Sequence, residues 1–363
     1  MNPTLRAEVQ AWIADDPDPK TAAQLQSLLD AEDETALSKY FNGFLQFGTA
    51  GLRGPIGPGP SCMNRAVVGR TAAGIASYMK KRGMTKVVIG RDARYGSEDY
   101  TFETAEIMSG AGMDVSILPR PLPTPVLAFA TAHLGCDIGI MVTASHNPPQ
   151  DNGYKVYVGP VADGIDYSSS QIINPTDGFI AKEIDLVNSL KDVPRGKSWT
   201  VLDDVVVDKY VARTAKLAPR PGSLKIVYTA MHGVGTETVE KVFAKAGFPN
   251  LVLVSEQAQP DPDFPTVAFP NPEEPGAIDL ALAKAREVGA DLVIANDPDA
   301  DRCAAAVNDP SGGWRMLRGD ELGIIFGEWI ARSMAQDKSK TGAFGNSIVS
   351  SSALSKIAAH YVI

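Results

Sequence analysis

The sequence predicts tandem α/β domains with mixed or parallel sheets flanked by helices, and three observations carry that prediction. Short β-branched apolar runs alternate with polar loops and helical stretches, the order in which strands and their crossover helices are written. The four clearest runs are each four to six residues long, the length of a buried strand and too short for a helix. With 363 residues, 44% of them apolar and 21% charged, the chain is long enough for two or three cores.

At the amino end, Leu5 to Ile13 and Thr21 to Leu29 have the spacing of two short amphipathic helices, separated by the turn Asp15-Asp16-Pro17-Asp18-Pro19. They read as a docking arm. The first strand of interest, Lys86 to Ile89, leads into Gly90-Arg91-Asp92-Ala93-Arg94, and Asp137 to Val142 leads into Thr143-Ala144-Ser145-His146-Asn147-Pro148. Leu224 to Tyr228 then leads into Thr229-Ala230-Met231-His232-Gly233-Val234-Gly235, and Leu292 to Ala295 into Asn296-Asp297-Pro298-Asp299-Ala300-Asp301-Arg302. Each polar loop therefore falls at the carboxyl end of a strand, where open α/β sheets bind ligands. Lys191 to Thr200 reads as the exit from the first unit, and Pro219 to Gly222 introduces the next strand. A second break is expected at Asp309-Pro310-Ser311-Gly312-Gly313, with a helix from Leu322 to Ala331 beyond it. The expected domains are thus 1–200, 201–309 and a partial third unit, 310–363, whose Tyr361-Val362-Ile363 has the look of a strand beginning.

The formal net charge of −9 suits neither nucleic acid nor anionic lipid, so neither is expected as a partner. The amino end lacks the apolar core of a secretory signal, and no stretch approaches the ~20 apolar residues of a membrane span. A cytoplasmic, soluble protein is expected. Cys62, Cys136 and Cys303 are far apart and make no C-x-x-C pair, which agrees with a reducing compartment.

Asp297, Asp299 and Asp301 form the most informative cluster. Carboxylates at alternate positions just after a buried strand can converge on one hard cation such as Mg²⁺, although a solvated acidic turn would have the same spacing. An EF-hand is excluded because Arg302 and Asn308 stand where it needs Gly and Glu. Arg302 beside the trio would clamp a phosphate that the cation also touches.

Ser145 is either a turn serine or a phosphoryl carrier. It is no esterase nucleophile, since G-x-S-x-G is absent and His146, as its neighbour, is expected to point away from it. Lys155, in Asn152-Gly153-Tyr154-Lys155, is close enough to return to the Ser145 loop and handle protons, though alone it would read as a solvated lysine. The glycine-rich stretch Phe47 to Gly54 lets backbone amides and Arg53 approach an anion. Gly233-Val234-Gly235 lacks the third glycine of a dinucleotide site, and Gly69 to Gly74 lacks the Lys and Ser or Thr of a nucleotide triphosphate loop.

In order, Gly-Thr-Ala-Gly-Leu-Arg-Gly (48–54), Thr-Ala-Ser-His-Asn-Pro (143–148), Asn-Gly-Tyr-Lys (152–155) and Asp-Pro-Asp-Ala-Asp-Arg (297–302) resemble the α-D-phosphohexomutases over nearly the whole chain. The first motif and the acidic turn of the arm are most similar to the phosphoglucomutase branch that includes phosphopentomutases and some bacterial phosphomannomutases. The resemblance implies four domains, three α/β and a smaller phosphate-binding fourth. It also implies Mg²⁺-dependent phosphoryl transfer on sugar phosphates, from 1-phosphate to 6-phosphate, through a phosphoserine at Ser145 and a sugar 1,6-bisphosphate. Ser145, Asp297, Asp299 and Asp301 would hold the metal, Lys155 would be the general acid/base, Arg53 and Arg302 would stabilise the transferring phosphate, and His146 would orient the loop. The family's sugar-recognition loop and fourth domain would follow Ile363, so the 363 residues taken alone are expected to turn over slowly or not at all. Alternatives are a phosphopentomutase, a non-catalytic sugar-phosphate-binding fragment, and a Mg²⁺-dependent phosphatase.

Overall fold

A computed structural model describes residues 1–310, 312–337 and 342–361. The arm has three helices, α1 (Pro3–Asp15), α2 (Pro19–Asp30) and α3 (Glu34–Tyr40), which enclose a small core of Val9, Leu25, Leu29 and Leu37. Each begins at a side-chain cap: Asn2, Asp18 and Asp33 accept from the backbone amides of Thr4, Lys20 and Ala36. The third was not expected, because seven residues with only Leu37 buried carry too little periodicity. The arm does dock: Asp15 accepts from Ser189 Oγ and from the amides of Leu190 and Lys191.

The first α/β unit runs β1 (Leu52–Pro55), α4 (Arg65–Lys81), β2 (Lys86–Arg91), α5 (Ser97–Gly110), β3 (Asp114–Ile117), α6 (Thr124–His133), β4 (Ile138–Val142) and β5 (Asp151–Val158). A small hairpin, β6 (Val161–Ala162) with β7 (Ile165–Asp166), then α7 (Thr176–Asp185) and β8 (Thr200–Val201) complete it. The sheet order is β1-β5-β4-β2-β3-β8; β4, β2, β3 and β8 are parallel, and β5 is antiparallel to both neighbours. Alternation along β2 sends Val87 and Ile89 into one core and Val88 into the other. Both faces are covered, which is why β4 is buried at every position.

The second unit runs α8 (Val205–Ala215), β9 (Ile226–Thr229), α9 (Thr236–Ala246), β10 (Leu251–Leu253), α10 (Asp279–Val288), β11 (Leu292–Asn296), β12 (Cys303–Asp309) and β13 (Gly313–Met316). Its sheet order is β10-β9-β11-β12-β13, parallel at β10, β9 and β11 and antiparallel beyond. Two helices follow, α11 (Gly319–Gln336) and α12 (Ala353–Tyr361).

Three expected boundaries shift. Thr200 and Val201 both pair with β3, so the first sheet crosses the 200/201 division, and Val206 and Val207 of α8 pack in a core of the first unit. The expected break at Asp309 to Gly313 is instead the turn of a hairpin, with Asp309 opposite Gly313 and the second sheet continuing to Met316; Ser311 lies outside the described residues. Asp-Pro and Gly-Gly are turn chemistry whether or not a domain ends there, and Gly313 takes the left-handed φ of +81° that such a turn needs. Tyr361 closes α12 rather than opening a strand, and Val362 and Ile363 lie outside the described residues. Among the described residues no helix is long and apolar enough to cross a membrane.

Candidate active site

The loop between β4 and β5 carries Ser145 in a left-handed conformation, φ +54°, with the residue 1% exposed. Thr143 Oγ1 accepts from the Ser145 amide at 2.9 Å. Beneath the loop lies Arg94, whose guanidinium donates to the carbonyls of Ser145 (2.7 Å), Asn147 (2.6 Å), Pro148 (2.8 Å) and Asp151 (3.3 Å). Its counter-ion is Asp92, 3.4 Å from Arg94 Nε, which also accepts from Ser97 Oγ and the Arg94 amide. The ring of Phe264, from the second unit, covers the guanidinium at 4.8 Å.

The carboxylate loop follows β11. Asp297 Oδ1 accepts from the Arg302 amide at 3.0 Å, and Asp299 Oδ2 accepts from Thr124 Oγ1 at 2.6 Å while its carbonyl accepts from the Thr124 amide at 2.9 Å. Thr124 opens α6, so the first turn of a helix in one unit grips the loop of the other. Gly233 backs the same loop: a Cβ there would lie 2.3 Å from the Pro298 backbone, and the Val234 amide donates to the Pro298 carbonyl at 2.9 Å.

The two loops meet. Ser145 Oγ donates to Asp297 Oδ2 at 2.8 Å, and Lys155 Nζ donates to Asp299 Oδ2 and Asp301 Oδ2 at 2.6 Å each. Lys155 reaches them from mid-strand in β5, opposite Met141, and is 4% exposed. One oxygen of each aspartate lies within 4.8 Å of the others, and Asp299 Oδ1 is buried with no hydrogen-bond partner. An all-oxygen set holding an orphaned, buried carboxylate oxygen fits a hard divalent cation.

The electrostatics are those of crowded like charges. Burial, then Asp299 and Asp301, push the Asp297 carboxyl well above the usual carboxylate range. Burial also works against ionised Asp299, but the Lys155 ammonium outweighs it and holds that carboxyl low. Lys155 is the mirror case: burial opposes its charge, and Asp299 and Asp301 overcome that and push its pKa up.

His146 departs from expectation. It does not point away: its Nδ1 lies 3.3 Å from Ser145 Oγ, because the left-handed turn at Ser145 brings successive side chains to one side. Burial, with the charges of Arg302 and Arg53, lowers its pKa to about 4, so it is neutral at pH 7. Its ring meets Phe269 edge-on at 5.8 Å.

Arg53 sits on β1 opposite Gly153 and donates to Asn147 Oδ1 at 3.2 Å. The turn before it requires glycine, since Gly51 has φ +74° and a Cβ would lie 1.8 Å from the Tyr154 carbonyl oxygen. Arg302 is exposed. Sequence reasoning missed Arg94, Asp92 and Thr124 as parts of the site. The available signal was Asp92-Ala93-Arg94 just after a strand whose middle, Val87 to Gly90, is uncharged, where paired charges are held rather than solvated.

Residues 45–174 match the family model of the phosphoglucomutase/phosphomannomutase alpha/beta/alpha domain I, and residues 208–313 match that of domain II. The chain is 49% identical over 305 residues to a probable phosphomannomutase of Haemophilus influenzae, covering 82% of this chain and 61% of the relative. It is 34% identical over 376 residues to a human phosphopentomutase, covering 97% of this chain and 60% of the relative. A Staphylococcus haemolyticus phosphoglucomutase is 36% identical over 320 residues, which cover 86% of this chain and 57% of that one. This chain therefore spans about three-fifths of the length of these relatives. A phosphoglucomutase/phosphomannomutase family protein of Burkholderia thailandensis superposes with a TM-score of 0.65 at 26% identity, over 79% of this chain and 59% of that one. With two successive family domains matched and a relative nearly half identical, the chain belongs to the phosphoglucomutase/phosphomannomutase family.

Proposed function

We propose that this chain carries the phosphoryl-transfer centre of a sugar-phosphate mutase that exchanges a phosphoryl group between Ser145 Oγ and sugar hydroxyls, 1-phosphate to 6-phosphate, through a sugar 1,6-bisphosphate. The observation that carries the proposal is the 2.8 Å bond from Ser145 Oγ to Asp297 Oδ2, which joins a strained, buried hydroxyl to the carboxylate trio. Ser145, Asp297, Asp299 and Asp301 would hold Mg²⁺. When bound, that ion supplies neutralisation of phosphate charge and polarisation of the phosphorus.

The rest is work for the chain's own groups. When free Ser145 accepts a phosphoryl group, its Oγ–P bond forms as the donor's O–P bond breaks, and the departing sugar oxygen takes up a proton as the Ser145 hydroxyl gives one up; Asp297 Oδ2 accepts the hydrogen bond that orients that hydroxyl. In the reverse direction the Oγ–P bond breaks while the sugar oxygen gains phosphorus. Lys155, held as an ammonium, can lend its charge to the phosphoryl group in transit and a proton to the oxygen that leaves, which favours the acid half of an acid/base role. Arg94 fixes the loop carbonyls so that Ser145 keeps its conformation. Arg53, through Asn147, and Arg302 would face the transferring phosphate, with neutral His146 orienting the serine. Small sugar phosphates are the expected partners. Phosphopentomutase and phosphoribomutase relatives at 34–36% identity favour a pentose phosphate as the second reading of the substrate.

Intact-mass spectrometry tests the proposal. Incubation with glucose 1,6-bisphosphate and Mg²⁺ should add one phosphoryl group to the chain, removable by glucose 1-phosphate or ribose 1-phosphate, and Ser145→Ala should add none. Uptake that persists in Ser145→Ala would overturn it.

A further inference from the structure

Lys155 is held by the carboxylate trio as well as being near enough to serve the phosphoryl group. Its side chain leaves β5 on the face shared with Met141 and Tyr157, the face covered by α6, and ends between two carboxylates, 2.6 Å from each. Asp297 and Asp299 are wholly buried, and so tight an acidic group cannot stay ionised without a countercharge. The other cations nearby are engaged elsewhere or exposed. Arg94 is taken up by four loop carbonyls and Asp92, Arg53 bonds Asn147, and the Arg302 side chain is exposed. Among the described residues, Lys155 makes the ion pairs that the trio has.

We infer that Lys155 is the resident counter-ion of the trio and competes with the divalent cation for it, so that loading the metal and releasing the lysine toward the phosphoryl group are one linked event. This rests on the trio being the metal site. Asp299 Oδ2 already serves both Thr124 and Lys155, which leaves its Oδ1 as the open oxygen of that carboxylate. An entering dication must either draw the trio away from the ammonium or bear its repulsion at a few ångströms, and in either case the lysine weakens the metal's hold. By linkage the metal weakens the lysine's hold equally. Without the metal, the ammonium is parked on the carboxylates; with it, the ammonium is free to reach a phosphate.

Calorimetric titration of MnCl₂ and MgCl₂ into the 363-residue chain at pH 8 tests this. Lys155→Met should bind the metal about tenfold more tightly than wild type or better. Its metal-free form should melt lower than wild type, with the gap narrowing at saturating metal. As a second arm that needs no variant, selective ¹⁵Nζ-lysine labelling of wild type should show one protected ammonium resonance that shifts or vanishes as metal is added. Equal or weaker metal binding by Lys155→Met, or an ammonium signal indifferent to bound metal, would overturn the inference. If wild type binds metal and Asp299→Asn does not, the metal site stands even where the lysine's part fails; if neither wild type nor Lys155→Met binds, both fall. Should Lys155→Met not fold, the resonance decides.

Discussion

Ser145 and Asp297 are 152 residues apart in the chain and 2.8 Å apart in space, joined by a hydrogen bond from the serine hydroxyl to a buried carboxylate. The contact places the carboxyl end of β4 against the carboxyl end of β11, so two separately wound sheets present the carboxyl ends of interior strands to one another. Neither loop is complete without the other, and the following outcomes are expected from that.

Removal of the cation should be visible as stability. Mg²⁺ at a hundredfold its own Kd is expected to stabilise the chain by about 2.7 kcal/mol. Differential scanning calorimetry with MgCl₂ and then EDTA should show the melting temperature rise and return. Asp299→Asn should abolish the response, and a response retained in that variant would place the ion elsewhere.

Arg94→Met should be among the most damaging substitutions outside the trio. It strips four carbonyls of their donor and leaves Asp92 buried and unpaired, a loss of about 3–5 kcal/mol in urea unfolding. Arg94→Lys keeps the charge but not the fork, and should recover part of the stability with little phosphoryl uptake.

His146 gives the chain a pH signature. Its folded pKa of about 4 lies below its ordinary 6.5, so between those values the unfolded chain binds more protons. Stability should therefore rise with pH through that window and fall as pH drops toward 4. In His146→Asn, urea midpoints measured from pH 4 to 7 should fall less steeply on the acid side than in wild type.

Gly51→Ala tests the turn that delivers Arg53. With φ at +74° and a Cβ 1.8 Å from the Tyr154 oxygen, the strand pair β1–β5 must shift, at a cost of about 2–4 kcal/mol. Urea unfolding should report it; a loss under 1 kcal/mol, or about that, would mean the turn relaxes freely.

The strands of the site were legible because each holds a short apolar run that includes β-branched residues: Val87 to Ile89 and Leu292 to Ala295 lie within β2 and β11. The Asp297, Asp299, Asp301 spacing was equally local. What the sequence hid depends on packing. Asp309 to Gly313 carries turn residues that fit a linker and a hairpin alike, and only the pairing of β12 with β13 distinguishes them. Arg94 sits in a loop of polar residues, and its burial follows from the Ser145 loop folding over it. His146 turned toward Ser145 because of a left-handed φ that no residue type announces, serine being an uncommon occupant of that region.

Thr124 heads α6 and holds Asp299 by both its hydroxyl and its amide. The knot so tied runs from the helix of one lobe to the carboxylate-bearing turn of the next, and α8 is sewn into the first lobe's hydrophobic interior as well. Heating should accordingly melt both lobes as a single cooperative block, and a protease cut between them should fail to yield two independently stable halves.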